Sequence, residues 1–155
     1  MRTSDLPKTN NKEWLVSRWM SSKVRALKPD DLLVDAFEIM REYRIRHVPV
    51  LDKGKLVGIV SDRDVRQAMP SRDERYKGSA EFGKALMETP LSKCMSKKPQ
   101  VVSSDASIQE ASEIICREKI GALPVVDDGK LAGIITAEDL LWAYLDNTRD
   151  MEFEE

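Results

Sequence analysis

The sequence predicts an α/β fold of the α+β kind, two tandem βαββα units packed as a pseudo-twofold pair. Three observations lead there. A stretch of roughly fifty residues recurs at a fixed offset. Each copy runs through strand-like and helix-like patterning in the same order. One copy alone, with two strands, a stub and two helices, is too small to cover both faces of its sheet, so two copies are expected to cover each other.

The repeat is clearest in Val48-Pro49-Val50-Leu51-Asp52-Lys53-Gly54-Lys55-Leu56-Val57-Gly58-Ile59-Val60-Ser61. It returns as Leu123-Pro124-Val125-Val126-Asp127-Asp128-Gly129-Lys130-Leu131-Ala132-Gly133-Ile134-Ile135-Thr136. The offset of 75 holds without a gap from Met20/Met95 to Asp64/Asp139. About fourteen of some thirty-six positions between Asp30 and Val65 are identical to their partners. The domain organisation that follows is a leading segment, 1–19; a first repeat, 20–69; a partly helical linker, 70–94; a second repeat, 95–147; and an acidic tail, 148–155.

The leading segment carries a short amphipathic helix around Trp14, Leu15, Val16 and Trp19, whose aromatic rings are expected to pack on their own domain. Each repeat opens on a short apolar stretch, Val24-Arg25-Ala26-Leu27 and Val101-Val102-Ser103. A helix follows, with apolar residues at helical spacing: Leu33, Ala36, Phe37, Ile39 and Met40, then Ile108, Ala111, Ile114 and Ile115. Asp30 and Asp105 stand just ahead and are expected to cap them. Two apolar runs split by Asp52-Lys53-Gly54-Lys55, or by Asp127-Asp128-Gly129-Lys130, read as hairpins with Gly54 free to take positive φ. A last helix starts near Ser61 and again near Thr136, the second carrying Leu140, Leu141, Trp142, Ala143, Tyr144 and Leu145. Trp142 is expected to cover a pair or dimer interface. Within the linker, Ser79 to Met87 reads as helical, and the tail from Asp150 as frayed.

Composition narrows the function. The chain has 155 residues, 41% hydrophobic and 34% charged, with a formal charge of −2. That balance belongs to a globular protein and gives no general reason to expect nucleic acid or an anionic membrane as partner. No apolar run approaches the roughly 18–20 residues of a membrane span. Met1-Arg2-Thr3-Ser4-Asp5 leads into no apolar region of a signal peptide, so a cytoplasmic location is expected. Cys94 and Cys116 form neither a disulfide framework nor a zinc pattern. His47 is the only histidine and has no metal-ligand cluster around it. Lys53-Gly54-Lys55 is a hairpin turn, not a phosphate-cradling loop.

One heptad stands at the end of each hairpin: Gly58-Ile59-Val60-Ser61-Asp62-Arg63-Asp64 and Gly133-Ile134-Ile135-Thr136-Ala137-Glu138-Asp139. By this doubled motif, after an apolar-Pro-Val strand, the chain resembles the CBS-domain family, whose paired units form a Bateman module. The resemblance covers roughly Met20 to Asn147. Spacing and length also resemble the stand-alone acetoin-utilisation accessory proteins of that family in bacteria.

The resemblance implies two clefts for adenosine-containing ligands such as AMP, ADP, ATP or S-adenosylmethionine, with no cofactor required and no catalytic residue. The motif Asp would accept the ribose hydroxyls, and the Ser or Thr would contact ribose or phosphate. One cleft would comprise Ser61, Arg63, Asp64, Arg46, His47 and Val48, completed by Val101, Val102 and Ser103. The other would comprise Thr136, Asp139, Ala122 and Leu123, completed by Val24, Arg25 and Ala26. A carboxylate, an acceptor only, suits two adjacent hydroxyl donors. The same Ser/Thr-x-x-Asp pattern also approximates a capping box, in which both side chains only satisfy backbone N–H groups.

The clefts differ where a phosphate would lie. The first has Arg46, His47 and Arg63; the second has Gly121, Ala122 and Glu138. The first is therefore expected to prefer a phosphorylated ligand, and the second to bind polyphosphate weakly, take a nucleoside-like or S-adenosyl ligand, or stay empty. Three function classes stand side by side: a ligand sensor acting on a separate partner, a structural dimerisation or docking module without a ligand, and an enzyme. No nucleophile with a base, metal constellation or carboxylate pair supports the third. The family habit also implies a homodimer of CBS pairs.

Overall fold

The computed structural model describes residues 12–69 and 79–149. The expectations for the start of the chain, for the break after Met69 and for the tail from Asp150 lie outside them. The described chain forms two compact units. One gathers the leading segment through Ser22 with Val101–Asp127 and the chain from Ala132 onward; the other gathers Lys23–Gln100 with Asp128–Leu131. Helix and strand mix in both, and each holds one small sheet.

In the Lys23–Gln100 unit, helix α2 (Leu33–Tyr43) follows the opening stretch. Leu33, Ala36 and Met40 stand at i, i+3 and i+7 and are the residues it buries, while Phe37 stays more than a third exposed. Strands β1 (His47–Asp52) and β2 (Lys55–Ser61) pair antiparallel, from His47 opposite Ser61 to Asp52 opposite Lys55. Lys53 and Gly54 both take positive φ, 49° and 80°, as a type I′ turn requires of its two central residues. Helix α3 (Asp62–Ala68) starts directly after β2, and α4 (Ser79–Glu88) lies beyond the break. A short strand β3 (Ser96–Lys97) adds to the free edge of β2, with Ile59 opposite Ser96. The opening stretch contributes one parallel bridge on the other side. Leu27 donates to the Pro49 carbonyl at 3.0 Å and accepts from Leu51 N–H at 2.8 Å.

The other unit repeats the plan. Helix α5 (Ile108–Glu118) buries Ile108, Ala111 and Ile115; β4 (Ala122–Asp127) and β5 (Lys130–Thr136) make its hairpin; α6 (Ala137–Thr148) closes it. Asp128 and Gly129 take positive φ as Lys53 and Gly54 do. Val102 bridges β4 as Leu27 bridges β1. The edge of β5 is met by Ser21, which exchanges two backbone hydrogen bonds of 2.9 Å with Ile134.

Each repeat thus lends its first residues to the unit built on the other. Val16, in the short helix α1 (Val16–Trp19), is fully buried in the core with Leu123, Val125 and Ile135. Its counterpart at the offset, Leu91, is fully buried with Val48, Val50 and Val60. The hydrogen bonds match pairwise: Val16 N–H to the Ala106 carbonyl and Leu91 N–H to the Asp31 carbonyl, at 2.9 and 2.8 Å. Trp14 and Trp19 pack against the core of the first of these units.

The caps depart from expectation at two helices. Asp30 and Asp105 cap nothing. At α5 the cap is Ser107, whose Oγ accepts from Glu110 N–H at 3.0 Å, and Asp105 accepts from the Ser103 hydroxyl instead. At α2 the N-cap is Leu32, and Asp35 reaches back to its N–H at 2.8 Å. Both Asp residues stand two positions before the N-cap, too early for a side-chain oxygen to reach the N2 or N3 amide.

Candidate functional site

The two motif copies fold alike. Ser61 is the N-cap of α3: its Oγ accepts from Asp64 N–H at 3.1 Å, and Asp64 Oδ2 accepts from Ser61 N–H at 2.8 Å. Thr136 and Asp139 repeat this capping box at α6, at 3.2 and 2.9 Å. The capping role is therefore filled at both helices. Each carboxylate keeps Oδ1, and each hydroxyl keeps its O–H, without a partner among the described residues.

The amides at these helix starts are largely occupied. Asp62 N–H donates to the Arg46 carbonyl at 2.8 Å and Ala137 N–H to the Gly121 carbonyl at 3.0 Å. With Asp64 and Asp139 N–H held by the caps, one early amide per helix, that of Arg63 or Glu138, is left for a ligand. The helix start thus offers a phosphate a single backbone donor.

Charge is concentrated around the Ser61 copy. Arg46 and Arg63 are exposed, and neither forms an ion pair among the described residues; Asp62 is taken by Arg66 at 3.1 Å. His47 opens β1 directly opposite Ser61, which puts both side chains on one face of the strand pair, with Cβ atoms about 5 Å apart. Burial pushes the His47 imidazole below its ordinary value near 6.5; Asp62 and Asp64 pull it upward, and Arg46 pushes it down. The shift favours the neutral ring at pH 7. Cys94 sits half-buried on the Asp64 side; burial and the Asp64 charge both raise its thiol, so it is not a poised nucleophile. Cys116 is exposed.

The apolar site candidates divide by exposure. Val48 and Leu123 are fully buried, and Val102 and Ala122 nearly so, which leaves only their backbone to a ligand. Val101 and Ala26 are exposed, while Val24 and Ser103 are half-buried. Each opening stretch bonds to the hairpin of its own repeat: Val24–Ala26 belongs to the unit of Ser61 and Asp64, and Val101–Ser103 to that of Thr136 and Asp139. Arg25 lies over the Tyr43 ring, 3.9 Å from its centroid, a cation–π pair that needs the folded helix and had no local signal in the sequence. A groove of about 610 Å³ opens at the turn end of the first hairpin, lined by Lys28, Asp30, Leu51 and Lys53 among others. Of the candidate residues only Ala26 lines it, and it lies at the other end of the hairpin from Ser61.

The motif glycines have a packing reason. A Cβ on Gly58 would fall 2.5 Å from Met95 Sδ and 3.0 Å from the Ser96 carbonyl oxygen; on Gly133 it would fall 2.6 Å from the Ser21 carbonyl oxygen. The exchanged segments therefore cross the hairpins where only a hydrogen fits.

Comparison with known proteins agrees with this architecture. The CBS domain matches twice, over residues 16–71 and 91–146. The chain belongs to the CBS-domain family and carries a tandem pair. It is 32% identical, with a TM-score of 0.69, to the crystal structure of an acetoin utilization protein, AcuB, from Vibrio cholerae, over 90% of this chain and 98% of that one. CBSX2 of Arabidopsis thaliana, solved in complex with AMP, is 28% identical with a TM-score of 0.71, over 88% of this chain and 99% of that one. The inosine-5'-monophosphate dehydrogenase of Aquifex aeolicus is 36% identical over 118 residues, 74% of this chain but 21% of the enzyme. The chain spans less than half the length of such curated relatives. Among the described residues no helix is long and apolar enough to cross a membrane, and no group of His, Cys, Asp and Glu could hold a metal ion.

Proposed function

We propose that this chain is a regulatory module that binds an adenine nucleotide and passes its ligand state, through a conformational change, to a separate partner. One observation carries the reading. Both copies of the motif present a carboxylate with one oxygen still free, in a CBS pair similar to a protein solved with AMP. A free carboxylate oxygen at a strand-to-helix turn is suited to ribose hydroxyls. Arg46 and Arg63, exposed beside Ser61 and without an ion pair among the described residues, favour a phosphorylated ligand at that copy. Glu138 disfavours one at the Thr136 copy, where a nucleoside or S-adenosyl ligand fits the charge better. The module is non-catalytic in this reading and needs no metal or cofactor, and its setting is the cytoplasmic nucleotide pool. Signalling requires that the nucleotide bind two conformations with different affinity.

The reading includes a homodimer. Leu141, Trp142, Tyr144 and Leu145 make a contiguous face on α6, each at least half exposed. At the same offset α3 and the residues after it carry Arg66, Gln67, Met69 and Pro70. The same face favours the second reading, a dimerisation or docking module without a physiological ligand, since the capping boxes alone account for the motif. Calorimetric titration with AMP, ADP, ATP and S-adenosylmethionine separates the two. The sensor reading expects saturable heat that Asp64→Ala abolishes for the phosphorylated ligands while Asp139→Ala spares it. A folded protein silent to all four leaves the docking module.

A further inference from the structure

Resting on that reading, we propose that His47 makes nucleotide binding at the Ser61–Asp64 copy proton-linked, taking up a proton as a phosphate arrives, so that the site responds to pH as well as to nucleotide. The geometry is specific to this copy. Strand register sets His47 opposite Ser61 on one face of the hairpin. The bond from Asp62 N–H to the Arg46 carbonyl ties the start of α3 to the residue before His47. The capping box fixes Asp64 on the same turn. The groups acting on the imidazole are Asp62 and Asp64 from α3 and Arg46, the residue just before its own strand. Arg63 is exposed on α3, and Cys94, in the segment before β3, lies close enough to feel the Asp64 charge. In the other repeat the matching residue is Ala122, so that copy has no imidazole to take up the proton.

The balance at His47 is a contest. Burial favours the neutral ring and outweighs the two carboxylates, one of which, Asp62, is already shared with Arg66. A phosphate brings one or two further negative charges to the side that favours the imidazolium, and it accepts a charge-assisted hydrogen bond. No covalent step is involved: one proton moves from solvent to the imidazole, and the bound pair is imidazolium and phosphate. Because the free ring is neutral at pH 7, uptake accompanies binding rather than preceding it.

The single histidine makes the test clean. Its imidazole proton resonance in tag-free protein is titrated with pH, free and saturated with ADP or adenosine. The midpoint is expected to rise with ADP and to stay put with adenosine, which carries no phosphate. In parallel, ADP affinity of the wild type relative to His47→Gln is expected to grow as pH falls from the ADP-bound midpoint toward the free one, by at most about tenfold per pH unit for one proton. The ratio cancels the titration of ADP itself. Binding with an unmoved His47 midpoint, or an equal rise with adenosine, overturns the proposal and leaves nucleotide binding standing. No ADP binding at any pH overturns both.

Discussion

At the scale of single residues, the two repeats allow one substitution to control for another. Gly133→Ala drives a Cβ against a backbone oxygen, whereas Gly58→Ala first meets the flexible thioether of Met95. Both are expected to destabilise, by about 1–3 kcal/mol, with Gly133→Ala the larger, and Met95→Ala should relieve part of the cost at Gly58 only; denaturant midpoints measure this. His47 gives apo stability a pH dependence of known sign. Its folded-state value is lowered, so the unfolded chain binds more protons between that value and about 6.5. Stability therefore falls as pH drops from about 6.5 toward the folded-state value, and His47→Gln flattens that limb of a chemical-denaturation series. Ser61→Ala removes a cap and is expected to cost about 1 kcal/mol whether or not a nucleotide binds.

At the scale of elements, the exchange of leading segments decides which part of the chain holds which. Leu91→Ala is expected to destabilise by about 2–5 kcal/mol through a cavity under β1 and β2. Removing residues through Ser22 takes Val16 and the Ser21 edge from the other unit. Hydrogen exchange should then speed up in β4, β5 and α5 and leave β1, β2 and α2 protected; uniform loss would contradict the exchange. The hairpins, the central helices and the caps at Ser61 and Thr136 were legible in the sequence because each has a local signature: alternation, helical spacing, Gly in the turn, Ser/Thr-x-x-Asp. The exchanged segments were harder, because their pairing is long-range and each bridge is one residue wide. A trace existed, since Val16, Ser17, Arg18 and Met20 match Leu91, Ser92, Lys93 and Met95 at the same offset. The chemical class is kept there, but two of those four pairs are not identical. Asp30 and Asp105 misled because a suitable residue type stood two positions from the cap. At the candidate site, the capping role of the motif residues was legible, but the burial of Val48, Leu123 and Val102 was not: a strand pattern tells which residues are apolar, not whether the core or a ligand covers them.

At the scale of the whole molecule, the proposed sensor rests on a doubled motif, an uneven distribution of cations and an apolar helix face. A ligand bound only by the folded chain at about a hundred times its dissociation constant adds about 2.7 kcal/mol of stability, so saturating ADP should raise the thermal midpoint, and less so in Arg46→Ala. If the proposed homodimer forms through the exposed α6 face, Trp142→Glu is expected to lower the mass in light scattering to that of one chain without loss of fold. The central claim is that Asp64 holds a ribose as well as a helix cap. The most direct measurement compares ADP with 2′-deoxy-ADP, by calorimetry, on the wild type and on Asp64→Asn, which keeps an oxygen for the Ser61 amide. The account predicts that losing the 2′-hydroxyl weakens binding by about tenfold in the wild type and far less in the variant, the signature of a charge-assisted bond. Equal losses in both proteins, or no binding in either, would contradict it and leave Asp64 as a helix cap alone.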